Sequence, residues 1–312
     1  MSNVFKKWMI GFSFTWIYVV LILVYPTQES VILPGNVQNT SRIFTIDGLT
    51  TSSMQTIYVI NYEPLTYFQR TILSYDEAAT IAPISAYEAS LSQLDMYKVG
   101  QIQKESAYHL SVITAYKKAS QSIDYQFKGY SLISKPNRDI DLEIGDLIIS
   151  INGLPLTETT SLVEFFRDDI LVIDLIRNEQ VLTITYERNI EDIPLYVYPM
   201  FQLNIVSPPI DLKGLDSFIG GPSSGMMMTL SIYATLMEYT FDVTIAGTGT
   251  IEMDGRIGRI GGLYQKYVTV YDHVDYLIIP FDQLSILEQV DTQKVIPVKT
   301  IDEAIAFLET IK

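Results

Sequence analysis

A serine and a lysine stand in two glycine-rich segments in the last third of this 312-residue chain. The serine, Ser223, belongs to the run Gly-Gly-Pro-Ser-Ser-Gly at residues 220–225, and the apolar residues 226–238 are predicted to form a helix. The N–H groups at a helix start are unpaired and carry the positive end of the dipole, so they can bind an oxyanion. A serine at such a corner is usually only a helix cap, and this segment alone leaves both interpretations open.

The lysine, Lys266, ends a second segment at residues 255–266, which is predicted to be a glycine-punctuated hairpin leading into a helix. It would then lie on the first turn of that helix, where the dipole and any burial both lower the pKa of an amine. A neutral amine can act as the general base that activates a serine hydroxyl. The alternative is a solvated surface lysine, which is the commoner case for this residue type.

Together the two segments resemble the Lon-type peptidases, whose Ser-Lys dyad occurs in a Gly-Pro-Ser-x-Gly motif and a later Gly-Gly-Leu-x-x-Lys motif. The resemblance implies that Ser223 is the nucleophile and that Lys266 is its general base. It also implies that Thr248, in the run Gly-Thr-Gly-Thr-Ile, lies beside the lysine and orients its amine. Upstream, the run Lys-Glu-Ser-Ala at residues 104–107 is similar to a helix-opening segment of the same family.

Three further residues are expected to support the site by shaping the turn, namely Gly221, Pro222 and Ser224. Backbone N–H groups of residues 221–224 are expected to hold the oxyanion. The chain departs from the family pattern at two places. Residues 219–220 are Ile-Gly where Lon proteases commonly carry Lys-Asp, and Ser224 replaces the usual alanine. Ser224 is therefore an alternative nucleophile, although the alignment of the motif favours Ser223.

The composition excludes several other kinds of site. The chain has no cysteine, and its two histidines, His109 and His273, are far apart, which excludes thiolate chemistry and the common two-histidine zinc motifs. A Ser-His-Asp triad would have to recruit one of these histidines. The net charge of -15 gives no basic footprint for nucleic acid, and without a Gly-Lys dipeptide there is no phosphate-binding Walker A loop. No metal, cofactor or ATP is expected.

Residues 143–155 resemble the hallmark of PDZ domains, in which a Gly-Asp turn feeds a buried strand that ends in an Asn-Gly turn. The surrounding elements are predicted in PDZ order, with strands at 130–134, 146–152, 172–177 and 181–187 and a helix at 161–167. The resemblance implies that a peptide adds to an edge strand, with residues 127–129 facing its carboxylate. The peptide-binding residues would be Gly129, Tyr130, Ser131, Leu132 and Ile133. A spacer PDZ domain with a closed groove is the alternative.

The uncharged residues 8–25, preceded by Lys6 and Lys7, predict a transmembrane helix whose N-terminus lies in the cytoplasm. A cleaved signal peptide is the alternative. An anchor, a PDZ domain and a Lon-type domain in one chain resemble the membrane-anchored PDZ-Lon proteins of bacteria. That resemblance implies a single-pass protein of the bacterial cell membrane with its C-terminal domains extracytoplasmic.

The expected fold class is α+β, with an N-terminal transmembrane helix and a Lon-type proteolytic domain split by a mostly-β PDZ domain. The expected domains are a cytoplasmic stub and anchor (1–26), a linker and first part of the Lon-type domain (27–115), the PDZ domain (116–192) and the peptidase domain with the dyad (193–312).

The expected function is that of an ATP-independent serine endopeptidase for limited proteolysis of extracytoplasmic peptides or proteins, with the PDZ domain assisting substrate binding or gating. A homo-oligomer is a further expectation, since Lon-type domains often form rings. Two alternatives stay open: a non-catalytic membrane-tethered PDZ scaffold, and a Ser-Lys peptidase of the signal-peptidase kind, which the spacing of the motifs disfavours.

Overall fold

The computed structural model describes residues 3–52, 54–136, 140–160, 162–165, 168–189, 191–216 and 220–312. Within these ranges the α-helices are α1 (Asn3–Val24), α2 (Tyr67–Leu73), α3 (Ala86–Ala89), α4 (Gln93–Lys118), α5 (Leu162–Phe165), α6 (Gly225–Leu236), α7 (Leu263–Val270) and α8 (Ile301–Ile311). The strands are β1 (Glu29–Asn39), β2 (Thr45–Ile46), β3 (Gln55–Tyr62), β4 (Thr80–Pro83), β5 (Ser122–Leu132), β6 (Leu147–Ile151), β7 (Leu154–Pro155), β8 (Ile170–Arg177), β9 (Gln180–Glu187), β10 (Val197–Ser207), β11 (Ile210–Asp211), β12 (Ile245–Gly247), β13 (Thr250–Ile251), β14 (Ile257–Gly258), β15 (Tyr276–Pro280) and β16 (Val295–Val298).

The first sheet carries the segments that position the candidate site. Its strand order is β16-β15-β12-β3-β1-β4, in which β3, β12, β15 and β16 are parallel, while β1 is antiparallel to both β3 and β4. Parallel neighbours need a crossover connection, which α7 supplies between β12 and β15. The fold is therefore mixed α/β and the α+β prediction is wrong. The short parallel strands, three residues in β12 and four in β16, gave no clear strand-helix alternation in the sequence.

Helices α4 and α6 pack against each other beside the first sheet. All twelve residues of α6 are buried, as expected for a helix that is apolar on every side. Helix α4 begins at Gln93, well before the run at residues 104–107 that resembled a helix-opening segment. The reason is a capping box in which the Ser92 hydroxyl accepts the N–H of Asp95 and the Asp95 carboxylate accepts the N–H of Ser92.

The second sheet is antiparallel, with the order β10-β5-β6-β8-β9 and β7 paired to β6. It encloses an apolar cluster of its own, which includes Leu132, Ile148, Ile151, Leu171 and Ile173. The four strands predicted for the PDZ segment correspond to β5, β6, β8 and β9. Of the predicted helix, α5 covers residues 162–165, while residues 161, 166 and 167 lie outside the described part of the chain. The insertion of a PDZ domain stays a prediction.

Two elements do not follow the predicted domain boundaries. Helix α4 continues through residue 115 to Lys118. Strand β10 lies beyond residue 192, yet it pairs with β5 along its whole length. The second sheet therefore takes strands from both sides of the predicted boundary, so the exact division of the chain into domains also stays a prediction.

The strand predicted to accept a peptide is paired on both sides. Residues 130–131 pair with residues 147–148 of β6, and residues 130–132 pair with residues 197–199 of β10. Ile133, just past the strand, belongs to a small apolar cluster that also contains a residue of α4. A peptide could add to this strand only by displacing β10 or β6, because among the described strands the outer positions of this sheet belong to β10 and β9.

The N-terminal segment forms α1, but the prediction of a transmembrane anchor is wrong. Among the residues that the structure describes, no helix has both the length and the apolar character needed to cross a membrane. The uncharged run that suggested an anchor is diluted by Gly11, Ser13 and Thr15. The same finding contradicts the prediction of a single-pass protein in the bacterial cell membrane with extracytoplasmic domains.

Candidate functional site

Ser223 lies in a tight turn immediately before α6. The N–H of Gly225 donates to the carbonyl of Pro222 at 3.1 Å and closes this turn. Gly221 has a φ of +93°, a conformation that glycine adopts without steric strain. The residue in the capping position is Ser224, whose side chain makes no capping hydrogen bond. The hydroxyl of Ser223 bonds to a side chain of another helix, Lys266 of α7.

Lys266 reaches this turn from α7, which begins after the hairpin formed by β13 and β14. Its Nζ atom lies 2.9 Å from the Oγ atom of Ser223 and 2.9 Å from the Oγ1 atom of Thr248. The structure thus brings together the three residues that the two sequence motifs and the Gly-Thr-Gly-Thr run had singled out.

Burial determines the charge of this lysine. Lys266 is 2% exposed, and the loss of hydration lowers the pKa of its amine from 10.5 to about 7. Desolvation disfavours the charged form of an amine, so a large fraction is neutral near pH 7. Burial therefore gives Lys266 the neutral form that a general base needs.

The hydroxyl of Thr248 bonds both the backbone of Ser223 and the amine of Lys266. Its hydroxyl donates to the backbone carbonyl of Ser223 at 3.1 Å, which uses its single hydrogen. Toward Lys266 it can then only accept, so one N–H of the amine is directed at Thr248. A neutral amine keeps one lone pair, and this lone pair is available to the hydroxyl of Ser223.

The end of β12 holds the turn from the side of the sheet. The N–H of Thr248 donates to the carbonyl of Ile278 in β15 at 3.0 Å. The N–H of Gly249 donates to the carbonyl of Ser223 at 2.9 Å, and the N–H of Met226 donates to the carbonyl of Gly249 at 3.0 Å. The backbone at Ser223 is thereby tied to the first sheet on both sides of the hydroxyl.

The backbone donors available for an oxyanion are fewer than the sequence suggested. Pro222 has no N–H, and the N–H of Gly221 donates to the carbonyl of Gly100 in α4 at 3.0 Å. Of the predicted group, this leaves the N–H groups of Ser223 and Ser224, which have no acceptor among the described residues. Both lie beside the N-terminus of α6, where the dipole favours negative charge.

Helix α4 contributes contacts that the motifs did not reveal. The carbonyl of Gly100 accepts from Gly221, and the hydroxyl of Ser111 donates to the carbonyl of Gly225 at 2.9 Å. A side chain on Gly220 would approach the backbone of Gly100 to 3.0 Å, so the turn and the helix are in close contact. The only sequence signal was the helical spacing of small and polar residues along α4, which does not identify a partner.

A narrow cleft opens between the turn and strand β3. Its enclosed volume is about 30 Å³, close to that of one water molecule in the liquid. The lining residues are Gln38, Ile43, Thr56, Ile57, Tyr58, Lys104, Tyr108, Gly220, Gly221, Ser223 and Ser224.

Within the described residues, the histidines and acidic side chains form no competing centre. His109 lies on α4, where burial lowers the pKa of its imidazole, and His273 is exposed. Neither hydrogen-bonds to Ser223 within the described part of the chain. The described residues also contain no group of three or more His, Cys, Asp or Glu side chains that could hold a metal ion.

Comparison with known proteins agrees with this geometry. Residues 219–309 match the Lon protease (S16) C-terminal proteolytic domain. This chain carries a Lon-type proteolytic domain. Ser223, Thr248 and Lys266 all lie within the matched stretch, and the prediction of a Lon-type serine endopeptidase domain is confirmed.

The individual relatives match part of this chain and a smaller part of their own length. The chain is 35% identical over 89 residues to Lon protease 2 of Bacillus subtilis, covering 28% of this chain and 16% of that protein. It is 35% identical over 89 residues to the Lon protease of Ureaplasma parvum, covering 27% and 11%. A mitochondrial Lon protease homolog of Aspergillus fumigatus is 36% identical over 66 residues, covering 21% and 6%. The chain thus spans a sixth or less of the length of these relatives.

Proposed function

We propose that this chain hydrolyses peptide bonds with a dyad in which Ser223 is the nucleophile and Lys266 the general base. The observation that carries the proposal is the 2.9 Å contact between the Ser223 hydroxyl and an amine whose pKa burial lowers to about 7. A neutral amine within hydrogen-bond reach of a hydroxyl is the arrangement that general-base activation of a serine requires.

The steps of the proposed reaction follow from the contact between Lys266 and Ser223. Nζ of Lys266 takes the proton of the Ser223 hydroxyl while Oγ bonds to the carbonyl carbon of the substrate. The oxyanion that forms is stabilised by the N–H groups of Ser223 and Ser224 beside the helix start. The ammonium then gives its proton to the leaving amine as the C–N bond breaks. The same lysine next takes a proton from a water molecule as the oxygen of that water attacks the acyl carbon. It returns this proton to Oγ of Ser223 when the C–O bond breaks and the acid product leaves.

We further propose that the substrates are peptides or unfolded proteins, and that cleavage by this chain alone needs no ATP. The match of residues 219–309 to a Lon protease proteolytic domain supports the first statement. The second rests on the sequence, which has no Gly-Lys dipeptide and hence no Walker A loop.

The second sheet is proposed to assist substrate binding or gating through α4. Helix α4 contacts both strands β5 and β10 of that sheet and, on another part of its surface, the turn at residues 220–221. In this arrangement a ligand that moves β10 would act on the turn through the helix.

The test compares the full chain with its Ser223→Ala form on an unfolded carrier protein without ATP, reading new peptide ends by mass spectrometry. We expect a loss of about 10³-fold or more in cleavage rate. The matched control is Ser224→Ala, which removes the neighbouring hydroxyl and should keep most of the activity. Equal cleavage by the Ser223→Ala form and the parent would refute the dyad, and loss only in the Ser224→Ala form would move the nucleophile to the alternative position.

A further inference from the structure

A second lysine is buried beside Ser223 and has no role in the dyad. Lys104 of α4 is 2% exposed and lines the same cleft as Ser223. Its Nζ donates to the backbone carbonyl of Leu215 at 2.8 Å. Burying an amino group is unfavourable unless it is hydrogen-bonded, so the contact with Leu215 provides the physical reason that this side chain can remain inside.

Lys104 belongs to one stripe of α4 that follows the nucleophile turn. Gly100, Lys104, Tyr108 and Ser111 recur at spacings of four, four and three residues, so they share one face of the helix. Gly100 and Ser111 bond the two ends of the turn, at Gly221 and Gly225. Lys104 and Tyr108 lie between them and line the cleft.

The turn needs such external contacts because of its composition. Two adjacent glycines, Gly220 and Gly221, precede Pro222, and glycine has the largest backbone freedom of any residue. A displacement of about 1 Å between reacting groups can lower a rate by about 10²-fold. The distance between Ser223 and Lys266 is therefore sensitive to whatever restrains this backbone.

We propose that Lys104 is a positioning residue for acylation, an inference that rests on the proposed Ser-Lys function. Its amino group bonds the backbone carbonyl of Leu215, and its side chain lines the cleft together with Gly220 and Gly221. Together these contacts keep the hydroxyl of Ser223 in line with the lone pair of Lys266. The polar end is required because an apolar side chain would leave the partly buried carbonyl of Leu215 without this donor.

The first test measures steady-state kinetics of Lys104→Met on a peptide that the parent protein cleaves. We expect kcat to fall by about 10-fold to 100-fold with KM little changed, because the substrate is still bound but the hydroxyl is misplaced. Labelling of Ser223 by a small sulfonyl fluoride should slow by a similar factor, since this probe occupies no peptide subsite. A control variant, Lys98→Met, removes an exposed lysine of the same helix and should change neither quantity.

The second test separates the amino group from its stem. The chain has no cysteine, so Lys104→Cys introduces a single thiol that can be alkylated in the unfolded protein before refolding. Alkylation with 2-bromoethylamine restores a side chain of lysine length with its amine, whereas 1-bromopropane gives the same length without it. We expect the aminoethyl form to recover most of kcat and the propyl form to stay low. The parent protein, taken through the same cycle, gives the recovery due to refolding.

Three outcomes would overturn the proposal. Equal recovery with the propyl and aminoethyl groups would mean that Lys104 only fills space. A rise in KM at unchanged kcat would mean that it binds substrate, and an unchanged kcat in folded Lys104→Met would mean that it has no role in the reaction. Failure of the dyad itself is a separate result, because it would appear as activity retained by Ser223→Ala.

Discussion

The Nζ atom of Lys266 lies 2.9 Å from the Oγ atom of Ser223 although the two residues are 43 positions apart in the chain. The contact joins the start of α6 to the first turns of α7, and each helix is set by its packing on the first sheet. The two groups are inert in water near neutral pH, because a free lysine is protonated there and a free serine keeps its proton. Their chemistry depends on being buried together.

The rate of cleavage should depend on pH through the lysine. Lys266 acts as a base only when neutral, and its pKa is lowered to about 7. We therefore expect kcat/KM to rise with pH through about 7 and to level off above it, because kcat/KM reports the ionisation of the free enzyme. A pH series on one peptide measures this. A profile that is flat from pH 6 to pH 9 would contradict general-base catalysis by this amine.

Replacing Lys266 by methionine should abolish cleavage and stabilise the fold near pH 7. The folded pKa of about 7 lies below the ordinary 10.5, so the unfolded chain binds the extra proton between these values and stability rises with pH across that window. Each pKa unit corresponds to about 1.4 kcal/mol. After subtraction of the lost hydrogen bonds, of about 1 kcal/mol each, we expect a gain of a few kcal/mol in the free energy of unfolding at pH 7.

Denaturant unfolding at pH 7 and pH 10 measures whether Lys266→Met raises the free energy of unfolding. The difference between the methionine variant and the parent should shrink at pH 10, because the penalty of burying the amine disappears as pH approaches the pKa of the unfolded lysine. A parent protein that is the more stable of the two at pH 7 would show that burial of this amine is not unfavourable.

Thr248→Val should slow the reaction without preventing binding. Valine keeps the shape of threonine but loses the hydroxyl that accepts from Lys266 and donates to the carbonyl of Ser223. The carbonyl still accepts the N–H of Gly249, so the turn should persist while the amine loses its orientation. We expect kcat to fall by about 10-fold to 100-fold, with KM little changed. Thr248→Ser retains the hydroxyl and should recover most of the rate, and equal rates for the two variants would exclude the orienting role.

Gly247→Ala should destabilise the protein and reduce activity. A Cβ atom at this position would lie 2.5 Å from Sδ of Met227 and 2.7 Å from the carbonyl of Ile278, between α6 and β15. We expect the free energy of unfolding to fall by about 1–3 kcal/mol, as for other overpacked sites. The control is Gly261→Ala, whose Cβ would have no atom within 4 Å. Thermal unfolding of both variants gives the comparison, and similar midpoints would show that the space at Gly247 is not restrictive.

The elements of the candidate site were predictable from the sequence to different degrees. The apolar run of α6 and the alternating residues of β8 were predicted within a few residues, because the side chains of these segments themselves give the signal. The strand pairings were not, since hydrogen bonds between distant segments leave no local signal. This is why the segment at residues 130–133 was predicted as a free edge although β10 pairs with it. The apolar N-terminal run likewise predicted a helix correctly, but its assignment as a membrane span was wrong.

The sequence by itself determined which groups are present: one serine after Gly-Gly-Pro, one lysine after Gly-Gly-Leu, a threonine between them and no cysteine. Only the tertiary structure decided what those groups can do. The pKa of Lys266 depends on the water excluded by all of its neighbours, and the engagement of the Gly221 N–H depends on Gly100 of α4. Desolvation and close backbone contact both depend on atoms that are far apart in the chain. No local segment of the sequence can therefore predict them.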